Sequence, residues 1–508
     1  MSLYQPDKLS VITKLIEKDY VDTINKNELI EKAIPTVLEE LDPHSSYIPA
    51  SEMKDVAEEM RGNFSGIGVQ FVMQSDTVAV VDVISGGPSQ KLGILAGDRI
   101  IKVNQKVVSG IGLKSDSIVS LLKGKKGTTV NVSIERRGFN NLIDFEITRD
   151  EIPLFSIDVS YLIKENIGFI KVDRFAETTY KEFRSALDEL AANGAQKLIV
   201  DLRGNSGGYL QAVFEMVDEF LPEGKMIVYT EGKARPRYEY IATKNGIWNE
   251  GDLVVLIDEY SASASEIFAG AIQDNDRGLI VGRRSFGKGL VQEQIPFIDG
   301  SALRLTVARF YTPSGRSIQK SYKDGNEAYR MDLYNRIKHD ELTRKDSIHF
   351  KNNLKYATVG GRTVYGGGGI MPDIFVPADT SGINSFYTEV VSKNLIYPFA
   401  FKYADQNRQN LKVLQNYKEI EKYLKDKNVI SLLINQIKLS GIHYTTNEMN
   451  ESKTLIEMQL YALIARNIMG DKGFYPILFE MDHTVQKAVE ILNKNWTSKE
   501  IVQYNPGV

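Results

Sequence analysis

Two serines in this 508-residue chain stand where a hydroxyl can be activated for attack on a carbonyl. Ser206 lies in Gly204-Asn205-Ser206-Gly207-Gly208, a literal G-x-S-x-G between an apolar strand and an amphipathic helix, the setting of a nucleophile elbow. An elbow serine needs an acid and then a histidine downstream. The chain holds only His44, His339, His349, His443 and His483, and the nearest downstream pair flanks or lies within the charged run Lys338-His339-Asp340-Glu341, which reads as solvated. Ser263 lies in Ser261-Ala262-Ser263-Ala264-Ser265-Glu266-Ile267, directly after the apolar run 253–257. Small residues let the chain turn sharply there and start a helix, whose unpaired first-turn N–H groups can stabilise an alkoxide or oxyanion. Taken alone, the segment also reads as a plain serine N-cap.

The segment Arg283-Arg284-Ser285-Phe286-Gly287-Lys288-Gly289 shifts the balance toward Ser263. A lysine between two glycines, just after a short strand, is oddly placed for a solvated side chain, because glycines let backbone close around the ammonium. Burial disfavours the charged amine and lowers its pKa from about 10.4, by up to ~3–5 units in extreme cases. A neutral lysine can take the proton of a serine hydroxyl, so no histidine is needed. A phosphate loop is a poor alternative, since Gly289 rather than Ser or Thr follows Lys288. Asp201 and Asp258, at strand ends, read as structural rather than as metal ligands.

Four stretches of different pattern must position these groups. Residues 1–63 carry apolar positions at helical spacing (Leu9, Ile12, Leu15, Ile16; Leu29, Ile30, Ile34, Val37, Leu38), broken at Asp42-Pro43-His44. Residues 64–150 switch to alternating strands and glycine turns, with strands over 78–83, 97–103 and 129–134 and one short helix near 117–122. Residues 151–379 alternate strands (197–202, 253–257, 278–281) with helices (210–220, 263–273), which predicts an α/β core of largely parallel strands. Residues 380–508 turn Lys/Asn-rich and helical, with packing stripes at Tyr417, Ile420, Tyr423, Leu424 and at Leu455, Ile456, Leu460, Leu463, Ile464. This tail is expected to dock against the core or to pair two chains as a homodimer.

Composition removes several function classes. Basic residues number 62 against 66 acidic, a net −4, so no general pull toward nucleic acid is expected. Cysteine is absent, which excludes disulfides, thiolate zinc and cysteine nucleophiles. No two histidines stand three to five residues apart, so a zincin helix is excluded. No run of 18 apolar residues occurs, and Met1-Ser2-Leu3-Tyr4-Gln5 lacks the basic start and apolar stretch of a signal peptide. The protein is therefore expected either in the cytoplasm or exported by a segment outside this sequence.

The chain resembles the carboxyl-terminal processing proteases, tail-specific serine proteases with a Ser–Lys site. The likeness runs from about residue 30 to 378 through Leu41-Asp42-Pro43-His44-Ser45, Gly66-Ile67-Gly68-Val69, Asp201–Gly208, Ser261–Ile267, Ser285–Gln292, Thr312–Arg316 and Gly366–Asp373, in the family's order. It implies a crotonase- or ClpP-like α/β core with an inserted PDZ domain and helical regions at both ends. It implies Ser263 as nucleophile, Lys288 as base 25 positions later, and Gln292 as the residue orienting the amine, on the lysine's face if 288–292 form a helical turn. The oxyanion donors it implies are the N–H of Ala264 and of Gly207 or Gly208, and Ser206 becomes scaffold.

Residues 64–150 resemble a PDZ domain, whose carboxylate-binding loop would be Gly66-Ile67-Gly68-Val69, with the peptide adding as a strand beside it. Val69, Phe71, Ile118 and Leu122 would line the pocket for an apolar last side chain, or simply form the small core. The implied partners are polypeptides with free, apolar C-termini, and a lipoprotein adaptor; the implied location is the periplasm or cell envelope. No metal or organic cofactor is required. The rival readings are an esterase using Ser206 and an inert PDZ-bearing scaffold.

Overall fold

The computed structural model describes residues 7–74, 76–243, 246–348 and 354–494. The central sheet runs in the order Ile157–Lys164, Ile167–Val172, Lys197–Asp201, Asp252–Ile257, Leu279–Gly282, Ile374–Phe375. Its first pair is antiparallel and every later pair is parallel. Parallel strands buried on both faces need apolar residues in unbroken runs, which is why Leu198-Ile199-Val200 and Leu253-Val254-Val255-Leu256-Ile257 do not alternate. On one face lie the helices Thr179–Ala192, Leu210–Asp218 and Ala264–Asp274, packing Phe183, Val213, Val217, Ile267 and Phe268 against Val200 and Val255.

The opposite face is covered from the far end of the chain. Helix His483–Asn493 sets Val485, Ala488, Val489 and Leu492 against Ile199, Val254 and Leu256. Arg203 Nη1 meets Asp482 at 2.7 Å, and the Tyr475 hydroxyl donates to Asp158 at 2.5 Å, so the tail docks on the core within one chain. Deleting it would expose the apolar underside of the sheet. The remaining tail helices, from Ser385–Ser392 to Asp471–Phe479, gather around the long helix Thr446–Met469 with a core of their own.

A second sheet holds Ser46–Ile48, Ala302–Tyr311, Met226–Gly232 and Arg235–Ile241, with Leu290–Pro296 also paired to Ala302–Tyr311. Residues 288–292 therefore form no helical turn. Gln292 is in a strand, directly opposite Thr306. Leu290-Val291-Gln292-Glu293-Gln294-Ile295 alternates too weakly to specify its partner, and the hydrogen bonds offered by 302–311 decide.

Strands Val69–Gln74, Thr77–Val83, Arg99–Val103, Thr129–Glu135 and Ile143–Thr148 make an antiparallel sheet with helix Ser115–Leu122 against it. The two connections to the rest of the chain pair with each other, Asn63–Gly66 against Asp150–Pro153. The Arg149 guanidinium donates to the carbonyls of Leu121 and Leu122 at 2.9 Å each, satisfying the otherwise open end of that helix. Arg99 pairs with Asp405 of the tail at 3.2 Å. Among the described residues no helix is long and apolar enough to cross a membrane.

Candidate active site

Ser263 is the residue before helix Ala264–Asp274, at φ 53° and ψ −111°, with 8% of its surface exposed. A side chain rarely takes that backbone conformation, and here hydrogen bonds on both sides impose it. Asn205, fully buried, accepts from Ala262 N–H (3.0 Å) and the Ser265 hydroxyl (2.9 Å) through its own carbonyl. Its side chain meanwhile donates to Val172 O (2.9 Å) and accepts from Gly207 N–H (2.8 Å). One asparagine thus stitches the 204–208 turn to the 261–265 turn. Gly207 is pressed so closely on the serine that a Cβ there would come 2.7 Å from Ser263 Cβ and 3.0 Å from Ala264 N.

Of the two glycines, Gly207 has its N–H spent on Asn205, whereas no acceptor meets Gly208 N–H or Ala264 N–H among the described residues. Gly208, at φ +141°, lies against Phe175, where a Cβ would stand 2.0 Å from the carbonyl oxygen. Gly208→Ala is therefore expected to destabilise the fold by about 3 kcal/mol or more, seen as a lower urea midpoint. A midpoint equal to wild type would show that the Phe175 backbone moves aside freely.

Lys288 sits on the loop between strands Leu279–Gly282 and Leu290–Pro296. That loop is held by Ser285 N–H to Ile370 O (3.0 Å), Phe286 N–H to Ser261 O (3.0 Å), Lys320 N–H to Gly287 O (2.9 Å) and Gly289 N–H to Gln319 Oε1 (2.7 Å). Gly287, at φ +92°, allows the passage, with Gly369 N and Lys320 Cβ each 3.1 Å from where a Cβ would be.

Glu266, the fully buried acid one turn into the nucleophile helix, joins the two loops. Its Oε2 accepts from Ser263 N–H (2.9 Å) and from Lys288 N–H (2.8 Å). Its Oε1 accepts from the Ser285 hydroxyl (2.5 Å) and Gly287 N–H (2.7 Å). Sequence reasoning passed over Glu266, although Ser263-Ala264-Ser265-Glu266 has the S-x-x-E spacing of a capping box.

The Lys288 amine is half-buried, and four charged or titratable groups couple to it electrostatically. Burial, with the Arg304 charge beside it, holds its pKa below the ordinary lysine range against the opposite pull of Glu266 and Asp42. His44, on the turn before strand Ser46–Ile48, is pushed down to about 4 by burial and by Lys288. It is a neutral ring, 2.8 Å from the Tyr329 hydroxyl. No hydrogen bond joins Ser263 Oγ to Lys288 Nζ, or Lys288 to Gln292, among the described residues; Gln292 Nε2 donates instead to Thr306 Oγ1 at 3.2 Å. Ser206 is exposed on its turn and bonded to no histidine among the described residues; His339 is exposed, and His349 lies outside them.

At the other candidate site, Gly66 ends a strand, Gly68 takes φ +75°, and Val69 opens the edge strand Val69–Gln74, whose outer side pairs with no strand among the described residues. The N–H groups of Ile67 and Gly68 make no backbone bond among the described residues. Ile118 and Leu122 are buried in the small core together with Ile67, while Val69 and Phe71 are only partly covered. The inward face of a helix packed on a sheet is core, and Ile118 and Leu122 lie on that face.

A family model described as Peptidase family S41 matches residues 166–325, a PDZ domain model matches 65–147, and a family of unknown function (DUF8443) matches 386–470. The carboxy-terminal-processing protease of Bartonella bacilliformis is 38% identical over 312 residues, 61% of this chain and 71% of that protein. The carboxy-terminal processing protease CtpA of Bacillus subtilis is 37% identical over 62% of this chain and 66% of its own length. CtpB of the same organism is 33% identical over 62% and 65%. The chain thus spans about two thirds of the length of these relatives. Identity that high over so much of a processing protease reflects descent, and the chain belongs to the carboxy-terminal-processing proteases, serine-type peptidases of family S41.

Proposed function

We infer that the chain holds the C-terminus of a protein substrate in its PDZ loop and cleaves a peptide bond at Ser263 with Lys288 as base. The observation that carries this reading is the single carboxylate oxygen of Glu266 that accepts from the backbone of both residues, tying nucleophile and base to one point. Neutral Lys288 takes the Ser263 hydroxyl proton as Oγ bonds to the substrate carbonyl carbon. The oxyanion that forms is met by the N–H groups of Ala264 and Gly208, worth ~3–4 kcal/mol for a well-placed donor. The C–N bond then breaks, and the lysine ammonium returns its proton to the leaving amine. Water repeats the sequence on the acyl-enzyme and frees the serine. The two side chains must come into hydrogen-bond reach for this step, and apo contacts at such sites are commonly loose.

The open N–H groups of Ile67 and Gly68 beside an unpaired strand edge suit a terminal carboxylate and an added β-strand. An apolar last residue would rest on Val69 and Phe71. Kinship with the processing proteases favours the periplasm or cell envelope as the place of work.

A fluorophosphonate, which reacts with an activated serine, is expected to add its mass to tryptic peptide 245–277, holding Ser263, and not to 204–225, holding Ser206. In the same preparation, amidating the C-terminus of an apolar-tailed peptide should lower kcat/KM. A label on the second peptide would replace this reading with the esterase one, and equal cleavage of acid and amide would remove the PDZ loop from substrate capture.

A further inference from the structure

The turn Asp42-Pro43-His44-Ser45 lies outside the segments matched by the peptidase and PDZ models, yet its charge acts on the base. Asp42 is 7% exposed. Its Oδ1 accepts from His44 N–H (2.8 Å), Ser45 N–H (2.9 Å) and the Thr306 hydroxyl (3.1 Å), and its Oδ2 from the Ser45 hydroxyl (2.6 Å). Burial works against ionisation, but the Ser45 hydroxyl and the other donors together keep this carboxyl below the usual range. Ser45 Oγ in turn accepts from Thr306 N–H at 3.1 Å, which pins the turn to the strand opposite Gln292.

The proton inventory makes this chain of bonds directional. A carboxylate only accepts, so the single Thr306 proton goes to Asp42. Thr306 Oγ1 then has only lone pairs to offer its other neighbour, and the Gln292 amide must present its NH2, as it does at 3.2 Å. The amide carbonyl is thereby left as an acceptor for an amine. A glutamine turned the other way would present its NH2 to Lys288, where it would occupy the neutral amine's lone pair or oppose the ammonium.

We propose that Asp42 is a positioning residue of the hydrolytic site: through Thr306 it fixes which end of the Gln292 amide faces Lys288, and it keeps a negative charge beside that amine. This rests on the Ser263–Lys288 reading and adds to it a part supplied by the N-terminal region. The groups whose charge acts on the amine are Asp42 and His44 from this turn, Glu266 from the nucleophile helix and Arg304 from the strand 302–311. Only Asp42 joins both effects, charge and amide orientation.

The two effects separate by mutation in the full chain acting on an apolar-tailed peptide. Asp42→Asn keeps an oxygen for the turn but removes the charge. It is expected to lower kcat roughly tenfold or more with KM within about twofold. Loss of the anion makes the ammonium less favourable, so the Lys288 pKa falls. The acid limb of kcat/KM should then move to lower pH by about 0.5 unit or more. Thr306→Val keeps the charge and breaks only the relay, so kcat should fall while the limb stays in place. Since it leaves the Asp42 turn whole, this variant decides the matter even if Asp42→Asn fails to fold. An unmoved limb in Asp42→Asn, or wild-type kcat in Thr306→Val, overturns the proposal. Turnover surviving in Lys288→Met would instead remove the base, and the proposal with it.

Discussion

Lys288→Met should abolish nearly all turnover, lowering kcat by about three to four orders of magnitude while KM for an apolar-tailed peptide stays within a few fold. Methionine keeps the packing of the stem and removes only the amine. Stability should move the other way. The amine titrates below its ordinary range when folded, so between that depressed value and about 10.4 the unfolded chain binds more protons than the native one. Native stability accordingly rises with pH through that window, and at neutral pH the buried amine costs stability. The variant is expected to melt no lower than wild type, and its melting temperature should depend less on pH. A dead enzyme that is equally or more stable is the signature of a buried base. A variant that is both dead and unfolded would mark Lys288 as structural, and an active one would end the Ser–Lys reading.

Glu266→Gln tests the clamp and should lose both activity and stability. All four groups around the carboxylate are donors: Ser263 N–H, Lys288 N–H, Gly287 N–H and the Ser285 hydroxyl. An amide NH2 cannot accept, so whichever way the glutamine turns at least one buried backbone N–H faces another donor. Each group left unsatisfied costs about 1–3 kcal/mol. The change also releases the Ser263 backbone from its positive φ, so kcat should fall by at least about a hundredfold. Burial, opposed by these donors, pushes the Glu266 carboxyl up to about 7 from an ordinary 4.5. The native state therefore holds this proton more tightly than the unfolded chain. The ionised group costs stability above about 7, and that cost fades as pH falls toward 4.5. The deficit of Glu266→Gln against wild type should consequently be smaller at pH 8 than at pH 6, as read from urea midpoints. An equal deficit at both pH values would mean that the carboxyl does not titrate in this range.

The parallel core, the β-rich module and the helical tail are all legible from local pattern. Leu198–Val200 and Leu253–Ile257 can only be strands buried on both faces, and Thr129–Glu135 alternates because one side faces solvent. The serine and lysine are also legible as a pair of segments, since a chain with five histidines and no cysteine leaves few other routes to a nucleophile.

Partnership was not legible. Residues 288–292 suit a turn of helix as well as a strand until Ala302–Tyr311 offers its edge. Glu266 reads as an ordinary first-turn acid until the lysine loop closes over it. Asp42 and Thr306 stand 264 positions apart, and their bond exists only because strand Ser46–Ile48 pairs with 302–311. Even the layer of helix beneath the central sheet comes from residues 483–493, far along the chain. The sequence by itself determined which residues can carry the chemistry and which runs must be buried, because those follow from side-chain type and periodicity. Tertiary structure alone decided which donors meet which acceptors, because hydrogen bonding and charge depend on distances of a few ångströms that sequence separation does not encode.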